Sequence, residues 1–366
     1  MNFALDDEQD LIVSTIRRFV DKEISAWAGD ADRDGAAPDK LLSTAGDVGF
    51  LIDAVPADAD GLLDEDYSHL VRALRSIELG RGCSAMAGLL ECNVEPSLAA
   101  SAWGSDELKT ELFGSLTAGG LATTAYDARG RLTISRNDDG VSIAGSLGPV
   151  PALAGASHLL LIAACEGEPL VAIVPTSSFT TEAVTPSGWR CARWATMTCD
   201  DVPVPASHVL EGDAVADTIL AWYRTSLAAR AVGVALSSME HAKRYCEERI
   251  QFGQPIGTFE SLIRLRDRNE TAAASARLLV LEAAWQLDNN KQHAHDLASR
   301  ARDLAAEVVS RATIDGVQML GGYGFVNDYP VEKLMRDARA YEVLAGNEAL
   351  ERVLARRFTA TDSTAK

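Results

Sequence analysis

The chain has 366 residues, 47% of them hydrophobic, and a formal net charge of −19. A charge of that sign repels a phosphate backbone, which excludes DNA and RNA as expected partners. No stretch reaches the roughly 20 consecutive apolar residues that cross a bilayer, and the first residues lack the basic and apolar regions of a secretory signal. We therefore expect a globular cytoplasmic protein with no membrane partner.

Six cysteines are spread along the chain without the paired spacing of a metal site. They are Cys83, Cys92, Cys165, Cys191, Cys199 and Cys246. Reduced thiols with structural roles are expected in an intracellular protein. His293 and His295 diverge on a helix, so no metal is predicted there either.

Apolar periodicity divides the chain into three domains. Residues 1–118 carry helical spacing, which predicts an N-terminal helical domain. Residues 119–212 contain short β-branched runs, at 132–134, 141–143, 159–162 and 171–174, which predict a middle domain that is an antiparallel sheet or small barrel. Helical periodicity returns in residues 213–366. The fold class is therefore α+β, and the lack of strand–helix alternation argues against a Rossmann sheet.

Two motifs lie in the C-terminal domain. Arg-Ile-Gln-Phe-Gly-Gln-Pro-Ile-Gly occupies residues 249–257, and Gln-x-x-Gly-Gly-x-Gly occupies residues 318–324. At this separation, and with a helical, β and helical order, they resemble the acyl-CoA dehydrogenase family over nearly the whole chain. The resemblance implies a C-terminal four-helix bundle, FAD as cofactor and an acyl-CoA substrate.

The resemblance also implies two positions for the catalytic base, and neither holds a carboxylate. Family members take the α proton with a Glu in a Glu-Gly-Thr loop or, in a minority, with a residue just before a conserved Arg on a long helix. Ala345 stands at the first position, and Tyr223, before the retained Arg224, stands at the second. Loss of a positioned base costs on the order of 10²–10⁴ in rate. We predict no catalytic residue and no activity for the chain alone.

In this family the FAD site is shared between subunits. The chain's own segments at residues 123–130 and 145–151 lack the Thr-Glu-Pro and Trp-Ile-Thr patterns that hold the flavin ring. The contacts that a subunit donates to its neighbour's FAD are retained, and they are Arg249, Phe252, Gln318, Gly321 and Gly322. A guanidinium suits pyrophosphate oxygens, and glycine permits close approach of the backbone. An ordinary helix C-cap is the alternative for the two glycines, and core packing is the alternative for Phe252.

A chain that keeps the donated contacts but lacks its own is typical of a partner subunit. It resembles the non-base-bearing subunits of the α2β2 acyl-CoA dehydrogenases of bacterial steroid side-chain β-oxidation, whose homologous catalytic partner binds FAD at the heteromeric interface. Arg230 replaces a residue that is usually small in the family, which suggests an altered cavity.

Two alternatives remain. One is a homo-oligomeric acyl-CoA dehydrogenase with a relocated base at Glu342, Glu348 or Glu247. The other is a flavin-free acyl-CoA-binding or scaffold protein.

Overall fold

The protein is described from a computed structural model, which covers residues 5–64, 67–291 and 293–345. Its first part is helical, as the periodicity predicts. The helices are α1 (Asp7–Phe19), α2 (Ala28–Asp34), α3 (Lys40–Asp47), α4 (His69–Gly82), α5 (Ser84–Leu90), α6 (Val94–Trp103) and α7 (Asp106–Thr117). A capping box starts α1, because Asp6 and Gln9 each accept a hydrogen bond from the other's backbone amide.

The middle part contains two sheets. The strands are β1 (Ala122–Tyr126), β2 (Leu132–Asn137), β3 (Gly140–Val150), β4 (His158–Cys165), β5 (Glu168–Pro175), β6 (Thr180–Ala183) and β7 (Ala195–Pro205). The order is β1-β4-β5 in one sheet and β2-β3-β7-β6 in the other. The prediction of purely antiparallel pairing was wrong for β1 and β4, which are parallel. After β1 the chain enters the second sheet, where it forms β2 and β3. It then returns to the end of the first sheet at which β1 begins, so β4 runs parallel to β1.

The first sheet is buried on both faces, which explains the continuous apolar run of β4. Leu159 and Leu161 point into the core between the two sheets. Leu160 and Ile162, on the opposite face, pack in a second cluster with residues of α6, α7 and α8, including Leu112. The middle domain is thereby fixed against the helices on the side that carries β1.

The last part returns to helices. The elements are α8 (Val215–Glu248), β8 (Ile250–Gln251), β9 (Gln254–Pro255), α9 (Glu260–Asp288), α10 (Ala294–Leu320), α11 (Val331–Ala338) and α12 (Ala340–Val343). Three long helices, α8 to α10, pack together, and among the described residues the fourth helix of the bundle is α4, which packs against α8 and α9. Glycine makes this approach possible, because a Cβ at Gly233 would lie 2.0 Å from the Ile77 carbonyl oxygen. Within the described ranges, no helix is both long enough and apolar enough to cross a bilayer.

Candidate active site

A cavity of about 380 Å³, the outer cavity, lies between the middle domain and the C-terminal helices. Its walls are residues 124–129, Arg131, residues 147–151, Trp194, Tyr223 and residues 343–345. The two segments related to flavin binding and the two positions implied for the base therefore meet in one place. Five separate parts of the sequence form this site.

Neither base position offers a carboxylate or a basic group to the outer cavity. Burial raises the pKa of the Tyr223 phenol above its usual range, so that it is neutral at physiological pH. Ala345 is buried with a φ of +58°, and the loop before it is fixed by a 2.7 Å hydrogen bond from Arg302 Nη2 to the Leu344 carbonyl. The residues in place here cannot take a proton from a thioester.

One carboxylate among the described residues does line the outer cavity, and it belongs to a turn. Asp127 accepts hydrogen bonds from the backbone amides of Arg131, at 3.0 Å, and Leu132, at 2.8 Å. Both carboxylate oxygens are therefore used to close the loop between β1 and β2. Asp127 holds the segment in shape and is not arranged as a base.

Below the outer cavity lies an inner cavity of only about 20 Å³. It is lined by Gly88, Glu91, Cys92, Glu95, Thr123, Thr124, Pro151, Trp189, Tyr223, Leu227 and Arg230. Thr124, Pro151 and Tyr223 line both cavities, so the inner cavity continues the outer one in depth. A space of this size holds about one water molecule and no acyl chain.

Charged side chains fill the depth of the site. Arg230 and Glu91 are 4% and 2% exposed, and Arg230 Nε lies 3.6 Å from Glu91 Oε2. The guanidinium also stacks over the ring of Trp189, 5.8 Å from its centroid. Arg230 follows Tyr223 by two helical turns, which places it on the same face of α8 but deeper. This agrees with the altered cavity that the sequence suggested at Arg230.

These charges belong to a buried network that the sequence analysis did not anticipate. Arg72 Nη2 lies 2.7 Å from Glu95 Oε1, and Ser76 Oγ donates to Glu91 at 2.7 Å. Arg75 lies 3.4 Å from Glu91. The sequence signal was partial: Arg72 and Ser76 are four apart on α4 and so share a face, whereas Glu91 lies between α5 and α6 and Glu95 lies in the first turn of α6. Each charge has a partner, as a buried charge requires.

A hydrogen bond joins the two segments that correspond to the family's own flavin-binding patterns, at residues 123–130 and 145–151. Thr123 Oγ1 donates a 2.8 Å hydrogen bond to the Pro151 carbonyl and so ties β1 to the segment at residues 147–151. Tyr126 lies under the guanidinium of Arg224, 6.0 Å from the ring centroid. The Thr124 hydroxyl is buried without a hydrogen-bond partner in the described structure, so it is free to meet a ligand. The fit to a flavin ring is partial.

The five residues that resemble the contacts a subunit donates to its neighbour's FAD lie on a separate exposed surface. We call it the donor surface and define it as Arg249, Phe252, Gln318, Gly321 and Gly322. The Arg249 guanidinium lies 5.4 Å from the centroid of the Tyr323 ring, which brings the two motifs together. Phe252 is 93% exposed, so core packing is excluded as the role of its side chain.

Gly321 caps the C-terminus of α10, as the helix C-cap alternative predicts. Its φ of +59° and ψ of −132° form a combination that is essentially restricted to glycine. A Cβ built at Gly321 or Gly322 would meet nothing within 4 Å, so the backbone at both residues is open to an approaching group. The Gly321 amide itself donates to the Gln318 carbonyl, so the group here that fits the phosphates of a dinucleotide is the Arg249 guanidinium.

Two of the candidates for a relocated base, Glu342 and Glu247, do not line the outer cavity. Glu342 pairs with Arg339 at 2.7 Å and lines another surface cavity. Glu247 is exposed and lines a third cavity beside Lys243. Glu348 lies outside the described residues.

Comparison with known proteins agrees with the fold and the motifs. The N-terminal domain of acyl-CoA dehydrogenases matches residues 6–120, and the C-terminal domain of the same enzymes matches residues 211–359. A probable acyl-CoA dehydrogenase of Bacillus subtilis (strain 168) is 30% identical over 98% of this chain and 99% of its own length. The chain belongs to the acyl-CoA dehydrogenase family. The resemblance in the sequence and the three-part fold are thereby confirmed.

Two further comparisons describe its place among acyl-CoA dehydrogenases. The cyclohex-1-ene-1-carbonyl-CoA dehydrogenase of Geobacter metallireducens is 27% identical over 96% of this chain and 98% of its own length. The butyryl-CoA dehydrogenase of Megasphaera elsdenii has the same fold, with a TM-score of 0.87, 23% identity and coverage of 98% of this chain and 100% of that one. Acyl-CoA dehydrogenases are flavoproteins that bind FAD, act on acyl-CoA and work as oligomers.

Proposed function

We propose that this chain is the non-catalytic subunit of a FAD-dependent acyl-CoA dehydrogenase. In an α2β2 heterotetramer it supplies the donor surface to FAD held by a homologous catalytic subunit. The complex carries out α,β-dehydrogenation of an acyl-CoA thioester. One observation carries this proposal: the depth of the chain's own site is closed by Arg230 and Glu91, whereas its donor surface is open.

The closed site supports the absence of catalysis in the chain itself. Dehydrogenation requires a base at the α carbon of a thioester whose acyl chain is buried next to it. Here Tyr223 and Ala345 supply no base, and the inner cavity has room for about one water molecule. Opening that cavity would separate Arg230 from Glu91 and leave the Arg230 charge buried without its carboxylate partner, which is costly.

The open donor surface supports the role toward a partner. FAD, when bound, supplies the acceptor for the hydride that leaves the β carbon. This chain's part is to bind and orient it: Arg249 offers paired N–H donors to phosphate oxygens, and Gly321 and Gly322 let a group approach the backbone without meeting a side chain. Phe252 offers a flat apolar face at the same surface. The ring makes an edge contact with Phe259, at 6.2 Å between centroids, and is otherwise exposed, so most of its surface is open to a contact with another molecule.

A steroid side-chain CoA ester is the substrate class that we propose for the complex, on the resemblance to the paired steroid dehydrogenases alone.

We propose a cytoplasmic location on separate grounds. All six cysteines are free and buried in the structure, and free thiols are typical of a reducing compartment.

The test is the FAD content per chain. The protein is purified alone and after co-expression with a complete acyl-CoA dehydrogenase encoded beside it, and flavin absorbance is compared with protein mass. We expect a colourless chain alone and about one FAD per two chains in the complex. Arg249→Ala and Gln318→Ala in this chain should then remove most of the flavin from the complex. Arg264→Ala is the matched control, because Arg264 is an exposed arginine that pairs with Glu260 on α9.

The two alternatives give different results. A chain that is yellow alone and oxidises an acyl-CoA is a homo-oligomeric dehydrogenase with a relocated base. A complex whose flavin content is unchanged by Arg249→Ala and Gln318→Ala contains this chain as a scaffold. Either result overturns the proposal.

A further inference from the structure

A cluster of reactive side chains lies where the three parts of the fold meet. Cys83 joins α4 to α5, Cys191 lies in the middle-domain loop between β6 and β7, and Lys333 and Asp337 lie one turn apart on α11. Cys83 and Asp337 are 0% exposed, Cys191 is 1% exposed and Lys333 is 6% exposed. None of the four lines the outer or inner cavity, and the proposed function uses none of them.

Lys333 sits between a sulfur and a carboxylate. Its Nζ lies 3.4 Å from Cys83 Sγ and 2.6 Å from Asp337 Oδ2. The other oxygen of Asp337 accepts a 2.7 Å hydrogen bond from the Trp189 backbone amide, which fixes the carboxylate. A buried ammonium with a sulfur in contact favours the thiolate form of that cysteine.

The second cysteine makes the pair unequal. A hydrogen bond from the Cys191 thiol, together with the Lys333 charge, lowers the pKa of Cys83 below its usual range. The same hydrogen bond and burial raise the pKa of Cys191. Cys83 is therefore the thiolate of the pair, and Cys191 is the protonated thiol beside it. Such an arrangement combines an attacking sulfur with a resolving sulfur.

The loop that carries Cys191 is held in a strained shape. Trp189 and Arg193 flank it with φ values of +52° and +51°, which side chains other than glycine seldom adopt. Trp194 Nε1 donates to the Trp189 carbonyl at 2.9 Å, and the Trp189 amide is bound by Asp337. These contacts anchor the loop that carries Cys191 to Asp337 on α11, one turn from the Lys333 that contacts Cys83, although the two cysteines belong to different domains.

We propose that Cys83 and Cys191 form an oxidisable pair that hydrogen peroxide converts into a disulfide between the N-terminal and middle domains. The Cys83 thiolate attacks one peroxide oxygen, the O–O bond breaks, hydroxide leaves and Cys83 becomes a sulfenic acid. Cys191 sulfur then attacks Cys83 sulfur, the S–O bond breaks, and the sulfenic oxygen leaves as water with a proton. The two thiols lose two electrons, and the peroxide is reduced to two waters once the hydroxide is protonated. Lys333 favours the first step by stabilising the thiolate.

The disulfide has a structural consequence near the inner cavity. Trp189, two residues from Cys191, lines that cavity and makes an edge contact with Tyr341 at 5.2 Å between ring centroids. A covalent bond from Cys191 to Cys83 fixes the loop that carries Trp189 to the helical domain. The oxidised chain should therefore unfold at a higher urea concentration than the reduced chain does.

The test uses the full-length chain, reduced, freed of reductant and treated with hydrogen peroxide at pH 7. The sample is then unfolded, alkylated and digested with trypsin, which cuts after Arg81, Arg190 and Arg193. We expect a mass loss of about 2 Da in the intact chain. The tripeptide Cys-Ala-Arg at residues 191–193 should be cross-linked to the peptide that begins at Gly82, with the other four cysteines alkylated.

Three results overturn the proposal: oxygen added to Cys83 without a cross-link, a covalent Cys83–Lys333 adduct, or no modification at peroxide concentrations that leave the fold intact. Cys191→Ser should stop the reaction at a Cys83 sulfenic acid that dimedone captures. Cys246→Ser is the matched control and should form the disulfide at the wild-type rate, because Cys246 is a buried cysteine elsewhere in the fold.

The part played by Lys333 is tested by the variant Lys333→Met with Asp337→Asn, which removes the ammonium and avoids an unpaired carboxylate. Circular dichroism checks its fold. We expect its disulfide to form at least tenfold more slowly, because less of Cys83 is thiolate. Formation at the wild-type rate would show that Lys333 does not activate Cys83.

Discussion

Tyr223 on α8 and Ala345 after α12 line the same cavity, although α9 and α10 lie between them in the sequence. These are the two positions from which the resemblance to acyl-CoA dehydrogenases implies that a base could act. One holds a neutral phenol and the other a methyl group. The cavity therefore brings the two positions together and holds a carboxylate at neither.

Restoring a carboxylate at Ala345 should not restore catalysis. We expect Ala345→Glu in the isolated chain to leave acyl-CoA oxidation at background, because the inner cavity still admits no acyl chain and the backbone has a φ of +58°. A dye-linked dehydrogenase assay measures this. Ala274→Glu, on the exposed face of α9, is the control. Turnover clearly above that of the control would contradict the closed-site interpretation.

The buried pair Arg72 and Glu95 should be strongly coupled. Arg72→Met should lower the free energy of unfolding by about 3–5 kcal/mol, because it leaves Glu95 buried without its 2.7 Å partner. The double variant Arg72→Met with Glu95→Leu should cost far less than the sum of the single changes. Urea unfolding of the four proteins gives the coupling energy. Additive effects would show that the two charges do not depend on each other.

Asp288 links the end of α9 to the start of α4. It accepts hydrogen bonds from Ser68 Oγ at 2.8 Å and from the backbone amides of His69 at 2.6 Å and Leu70 at 3.0 Å. Asp288→Ala should therefore lower the free energy of unfolding by about 1–2 kcal/mol, as loss of an N-cap does. Thermal unfolding measures it, with Glu282→Ala on the exposed face of α9 as control. Equal stability of the two variants would contradict this prediction.

His69 should make the protein less stable in acid. Burial, with a contribution from Arg72, lowers the pKa of His69 to about 3, whereas the unfolded chain titrates near its ordinary value of about 6.5. Between these values the unfolded state binds the extra proton, so stability is fully present above about pH 6.5 and falls as the pH decreases toward 3.

The size of this effect follows from the same linkage. His69 should cost on the order of 1 kcal/mol of stability at pH 5.5. The measurement is urea unfolding from pH 7.5 to pH 5. His69→Phe, which keeps an aromatic ring beside Trp222, should show a smaller decrease. An unchanged slope in that variant would assign the acid sensitivity to other groups.

Phe252 should matter to a complex and not to the isolated chain. Its side chain is 93% exposed and its φ is +52°, so Phe252→Gly removes backbone strain. We expect the isolated chain to be as stable as the wild type or more stable by up to about 1 kcal/mol. The flavin content of the complex should fall. Loss of stability in the isolated chain, with unchanged flavin content, would assign Phe252 a structural role.

The sequence by itself determined the order of the three parts, the family and the missing carboxylate. Helical and β periodicities are local properties, and they predicted α8, β2 and β4 because the buried face of each element repeats along the chain. The motifs at residues 249–257 and 318–324 are likewise contiguous. Ala345 and Tyr223 could be identified because they lie beside or within contiguous patterns.

Only the tertiary structure decided what surrounds those positions. The parallel pairing of β1 with β4, the buried pair of Arg230 and Glu91 and the contact of Cys83 with Lys333 each join residues far apart in the chain. Burial and pairing of such groups depend on how helices and sheets pack, and single-sequence periodicity does not record which faces meet. The sequence thus placed no carboxylate at Ala345 or Tyr223, and packing brought Arg230 and Glu91 together in the small cavity that continues their site.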